Sequence, residues 1–132
     1  MIIREWRGRA SLDRSQAYPE HFRRAVLPEL LGIQGFLGAS LCRREKGDGI
    51  EYLVLTRWQS IEAIRSFAGA ELDKAVVEPG AVAALTDFDD RVQHYEIIEE
   101  GAPMTPPNPP AFDPLKVQES NATSYSRALP KP

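Results

Sequence analysis

The chain has 132 residues, 42% of them hydrophobic, and a formal charge of −3 from 16 basic and 19 acidic side chains. That length suits one domain with its own core, and so mild a charge gives no electrostatic case for wrapping nucleic acid or docking on an anionic membrane. A single cysteine, Cys42, excludes an internal disulfide framework and a Cys-rich zinc site and suits a reducing cytosol.

Arg4, Glu5 and Arg7 interrupt the amino-terminal stretch where a secretory signal needs an apolar run. No stretch elsewhere approaches the roughly 18 apolar residues of a membrane span, so the expected location is the cytoplasm. Residues 2–10 alternate as a strand. Over residues 13–31, Ala17, Phe22, Ala25, Val26 and Leu30 keep helical spacing, with Asp13 or Ser15 as candidate caps. Pro28 is expected to break or kink that helix late, and residues 32–35 to carry the turn. Residues 36–44 and 50–58 read as two strands of an antiparallel hairpin, because the intervening Gly47-Asp48-Gly49 suits a tight turn. Ser60 then fits the N-cap of a helix that carries Ile61, Ile64, Phe67 and Ala68 on one face, and Gly69 supplies its stop. A further helical piece is expected over residues 72–77, ended by Pro79-Gly80, with one more turn over 81–85. Residues 91–98 close as a last strand with Val92, His94 and Glu96 on one face.

The order β-α-β-β-α-β predicts an α+β, ferredoxin-like domain over residues 1–100, a four-stranded antiparallel sheet with both helices on one face. The strand over 50–58 is apolar on both sides, with Leu53 and Leu55 opposite Tyr52, Val54 and Trp58. A sheet face left to water reads polar, so the second face needs a cover, and a second copy of the chain is the economical one. Residues 101–132 hold eight of the 11 prolines and form an expected tail, solvated or docked as an arm on a partner subunit.

The junction Trp58-x-Ser60-x-Glu62-Ala63-Ile64-x-x-Phe67-Ala68-Gly69, with Lys74-Ala75-Val76-Val77-x-Pro79, the opening Trp6-Arg7-Gly8 and the closing His94-Tyr95-Glu96, resembles the antibiotic biosynthesis monooxygenase superfamily. That resemblance implies a homodimeric α/β barrel, two ferredoxin-like sheets face to face. It also implies oxygenation of small reduced aromatics without a cofactor, although the superfamily includes haem-degrading enzymes and proteins without assigned reactions. The haem-degrading branch uses an asparagine, a tryptophan and an iron-ligating histidine where Trp6, Phe67 and Val76 stand here. The three differences argue against haem degradation.

Trp6 shares a strand face with Ile2, Arg4 and Gly8, where the family cavity would lie, and its indole can stack on a planar apolar ligand or fill the space as core. Arg4 is the candidate anion partner, and His94 the candidate base, since a neutral imidazole can take a phenolic proton near neutral pH. Tyr52, Trp58 and Phe67 complete the candidate substrate-binding set, with Trp58 and Phe67 also suited to core. Tyr18 offers another hydroxyl, and His21, amid Glu20, Arg23 and Arg24, is expected to be exposed. Two isolated histidines and one cysteine with no ligand spacing predict no metal site, and Cys42 is expected to be a buried small hydrophobe. RNA recognition shares the strand order, but the third strand lacks the basic-Gly-aromatic pattern and residues 1–100 carry 13 basic against 17 acidic side chains, so no nucleic-acid partner is expected. The alternative to an oxygenase is a non-catalytic dimeric protein that binds or carries a small ligand.

Overall fold

The computed structural model describes residues 1–103. Strand β1 (Ile2–Ser11) pairs antiparallel with β3 (Gly49–Trp58), setting Trp6 opposite Val54, and β3 pairs on its far edge with β2 (Phe36–Lys46). The β2–β3 turn is tight, and Gly47 adopts a φ of 64° there that a side chain would resist. The free edge of β1 takes two short strands, β4 (Asp87–Phe88) at Gly8 and Arg9, and β5 (Gln93–Glu96) at residues 2–5. The sheet order is β2-β3-β1-β4, with β5 also on β1, the α+β ferredoxin-like arrangement.

The last strand differs from the single run expected over 91–98. After Asp89 N–H donates to Arg7 O, the chain leaves β1 and pairs instead with residues 73–75, through Ala75 N–H to Asp90 O and Val92 N–H to Asp73 O. The same pairing corrects the helix expected over 72–77: residues 72 and 73 form a turn closed by Lys74 N–H to Glu71 O, Lys74 bridges to Arg91, and 75–77 are not helical. Pro79, expected as a breaker, is the first residue of a helix, where its fixed φ suits the first turn and its missing N–H costs nothing.

Four short helices cover one face of the sheet: α1 (Ala17–His21), α2 (Leu27–Leu31), α3 (Ile61–Ala68) and α4 (Pro79–Ala84). Between α1 and α2 the chain stays helical through a π turn, Phe22–Val26, closed by Leu27 N–H to Phe22 O. Pro28 lacks the N–H that an α-helix would direct at Arg24, and the wider turn ahead of it accommodates the loss, so the expected break becomes a bulge. Neither Asp13 nor Ser15 caps α1, which starts behind Gln16 without a side-chain cap; Asp13 instead accepts from Ser11 Oγ. The expected cap of α3 is present, Ser60 Oγ accepting from Ala63 N–H, and Gly69 ends it at a φ of 82°.

Two apolar clusters lie between sheet and helices. One joins Ala10, Ile50, Tyr52 and Val54 to Tyr18, Phe22, Ala81, Ala84 and Leu85, and the other joins Trp58 to Leu30, Ala63 and Ile64. On the opposite face, half-buried Leu53 and Leu55 stand among charges, with Glu51 held by Arg44 at 2.8 Å and Arg9 held by Asp87 at 2.6 Å. Cys42, expected to be buried, is exposed on that face. Among the described residues no helix is long and apolar enough to cross a membrane, and no three His, Cys, Asp or Glu side chains group as a metal site. The tail expected at 101–132 lies outside the described residues but for its first three.

Candidate functional site

A cavity of about 60 Å³ opens between the sheet and the helices and draws walls from both core clusters. That volume holds about four water molecules. Its apolar walls are Trp6, Val54, Phe67, Val76 and Val92, with Val26, Leu30 and Ala81 on the helix side. Its polar groups are Arg4, Thr56, Tyr18, His21, Glu29 and Glu78.

Trp6 reaches the cavity from mid-β1, and its Nε1 donates to Asp89 O at 2.8 Å, so the detour between β4 and β5 fixes the indole. Gly8 makes room beside it, because a Cβ there would meet Leu85 Cδ1 at 2.9 Å and the Trp6 ring at 3.1 Å. Phe67, from the last turn of α3, packs parallel to Trp58 at 5.8 Å and receives the Arg4 guanidinium at 5.7 Å from its ring centre.

Arg4 is buried, yet it is fully engaged. Nη1 donates to Leu72 O at 2.7 Å and lies 2.9 Å from His94 Nε2, while Nη2 donates to Lys74 O at 3.0 Å. Burial lowers its pKa to about 10, against the opposing pull of Asp73, so it stays charged at neutral pH and sets a fixed cation in the cavity wall. A guanidinium can only donate, so His94 Nε2 accepts and the ring proton sits on Nδ1, 3.5 Å from Asp73 Oδ1. Burial first, and then the Arg4 charge, hold His94 below its ordinary value of 6.5. His94 is therefore neutral, but its lone pair faces Arg4 and it does not line the cavity.

Of the residues singled out from sequence, Arg4, Trp6 and Phe67 meet at the cavity. Trp58 and Tyr52 do not line it: both are fully buried, the indole donating to Thr56 Oγ1 at 2.8 Å and the phenol to Ser15 O at 2.7 Å.

The polar rim includes Tyr18, expected as a candidate hydroxyl, and adds His21, Glu29 and Glu78, which were not expected there. His21, expected to be exposed, has a side chain only 13% accessible, and Nε2 is buried with no hydrogen-bond partner among the described residues, 3.5 Å from Glu78 Oε1. Its ring edge lies over Gly80, where a Cβ would stand 2.6 Å from Nδ1. Glu29 and Glu78 both line the cavity, and burial first, then the neighbouring Glu78 carboxyl, push the Glu29 pKa up. Tyr18, buried beside His21 with ring centres 5.9 Å apart, has its phenol pKa pushed up by burial and by Glu78 and stays protonated. A sequence signal did exist: Tyr18 and His21 are three apart on one helix face, and Glu78-Pro79-Gly80 pairs an acid with a space-making glycine.

Several solved structures share this fold. Two proteins assigned by name as antibiotic biosynthesis monooxygenases match it. The one from Deinococcus radiodurans is 17% identical with a TM-score of 0.55, covering 80% of this chain and 100% of its own. The one from Bacillus cereus is 19% identical with a TM-score of 0.54, covering 77% and 97%. A variant of MhuD, a haem degrader of Mycobacterium tuberculosis, crystallised with two manganese protoporphyrin IX molecules per active site, is 20% identical with a TM-score of 0.53, covering 78% and 100%. At such identities the likeness is one of fold. No curated protein matches the chain. The antibiotic biosynthesis monooxygenase family model matches residues 1–79, from β1 through the Trp58–Phe67 junction to the start of α4, and the chain belongs to that family.

Proposed function

We propose that the protein is a cofactor-independent monooxygenase of a small, planar, reduced aromatic compound, acting as a cytoplasmic homodimer that pairs the Leu53 and Leu55 face of two sheets. The observation that supports this most is the composition of the cavity: two aromatic side chains, Trp6 and Phe67, beside a buried, charged Arg4. Such walls favour a flat apolar ring, and the fixed cation stabilises an anion formed on it in a water-poor site. In the reaction, an activated ring methylene loses a proton and the resulting carbanion is oxidised by dioxygen. One oxygen atom becomes the product carbonyl and the other leaves as water, so the four electrons lost by carbon equal those gained by dioxygen.

The residues present do not fit a porphyrin. Val76, where the haem-degrading branch carries its iron-ligating histidine, brings no ligand to the wall.

The test is oxygen uptake by the purified full-length chain with anthrone and a panel of hydroquinones, with product identified by mass spectrometry. Uptake above the spontaneous rate, with one oxygen atom from labelled dioxygen in the product, supports the reading, and its absence across the panel sinks it. A second reading, a non-catalytic carrier of the same ligands, draws on the engagement of Arg4 and His94 with each other. It predicts saturable binding without oxygen uptake.

A further inference from the structure

We propose that His21, seated by Gly80 and backed by the Glu29–Glu78 pair, is the proton acceptor of the cavity, and that the ligand it selects carries a phenolic or enolic hydroxyl. The proposal rests on the cavity reading above and deepens it, since His94 has its lone pair turned to Arg4 and leaves that reading without a base.

Three observations converge on His21. Its Nε2 is a buried polar atom without a hydrogen bond among the described residues, in a residue that lines the cavity. A buried donor or acceptor left unsatisfied is costly, and a ligand hydroxyl at that atom removes the cost. Glu78 Oε1 lies 3.5 Å from Nε2, close enough to stabilise an imidazolium once a proton arrives. Gly80 is the third: the imidazole edge occupies the space a Cβ would take, 2.6 Å from Nδ1 and 2.7 Å from Cε1, so the absence of a side chain sets the ring's position.

In the transfer, the ligand O–H bond breaks, the proton goes to His21 Nε2, and the electron pair stays on the ligand oxygen. The phenolate or enolate is left in a cavity whose wall holds the Arg4 cation, and the imidazolium is left beside the Glu78 carboxylate. No oxidant is needed, so this step can be observed apart from oxygen chemistry.

The experiment uses the full-length protein with 4-nitrophenol, whose anion is coloured, and with 4-nitroanisole, which has the same ring and no proton to give. Calorimetry measures affinity and absorbance measures ionisation, slightly below neutral pH where the free phenol is mostly protonated. The wild type is expected to bind the phenol about tenfold more tightly than the ether and to raise its anion absorbance. His21→Gln should bring the two affinities together and abolish the added absorbance while ether binding persists. Gly80→Ala, which keeps the imidazole but displaces it, should weaken both signals in a chain whose circular dichroism is unchanged. Equal binding of phenol and ether by the wild type overturns the inference and leaves the cavity reading standing. Anion absorbance that survives in His21→Gln and is lost in Glu78→Gln overturns it in favour of the carboxylate. Binding of neither compound overturns the inference and the cavity reading together.

Discussion

Trp58 and Trp6 stand on the same helix-covered face of the sheet, one at the end of β3 and the other midway along β1, and the fold uses them in opposite ways. Trp58 is wholly enclosed, stacked on Phe67, edge-on to Phe36 at 5.3 Å, and satisfied by Thr56 within the core. Trp6 is half-buried, meets Tyr18 at 5.8 Å and Phe88 at 6.2 Å at tilted angles, and leaves space on its cavity side. Large aromatic area stabilises a fold when neighbours interlock with it on all sides. Where they do not, the same residue becomes a wall that a ligand can complete.

The most direct way to break the contrast is truncation of each indole. Trp58→Ala should cost about 3–5 kcal/mol in urea denaturation, because it opens a void between β3 and α3 and leaves the buried Thr56 hydroxyl without its donor. Trp6→Ala should cost only about 1–3 kcal/mol and weaken binding of planar ligands; a loss as large as that of Trp58, with ligand affinity unchanged, would make Trp6 core.

Arg4→Met asks whether the cavity wall depends on the charge that lies between the two tryptophans. The substitution keeps much of the volume but strips hydrogen bonds from Leu72 O and Lys74 O, and should cost about 2–3 kcal/mol. Residues 72–77 should then become sensitive to proteolysis before the sheet does. Equal protection in both proteins would show that pairing with residues 90–92 holds the segment without Arg4.

The smallest effect concerns pH. His94 is held neutral in the fold, whereas in the unfolded chain it titrates at its ordinary 6.5. As pH falls from neutral through that value the unfolded chain takes up protons that the folded chain declines, so stability decreases. His94→Gln should flatten that slope in denaturation curves collected across this range. An unchanged slope would assign it to other groups.

Much of the fold was legible because its signals are local. Alternation along β1 and β3, the Ser60 cap and the Gly69 stop each depend on residues a few positions apart. The misread parts share the opposite property. Leu72, Val76 and Val77 carry spacing that suits a helix, but Arg4, some 70 residues away, and the 90–92 segment hold that stretch in a turn and a bridge instead. His21 sits among charged neighbours and looks like surface; only the docking of α4, with Gly80 against its ring, buries it. Arg4, Trp6 and Phe67 were found as cavity residues because they follow from strand alternation and a helical stripe. Tyr18 was legible as a candidate hydroxyl and its spacing to His21 is local, but the arrival of Glu29 and Glu78 beside it depends on how α2 and the start of α4 meet.

The detour between β4 and β5 has a consequence for how such a protein can be altered. β1 is pinned on one side of it by the Gly8–Phe88 pairing and on the other by the Arg4–His94 pairing, while the detour itself pairs with residues 73–75 and carries Val92, which is buried and walls the cavity. Because Asp89 O is the hydrogen-bond partner of the Trp6 indole, a substitution that moves the Asp89 backbone would move that ring with it. The detour therefore joins the aim of the Trp6 ring and the Val92 wall in one short segment, so alterations there act on the cavity directly.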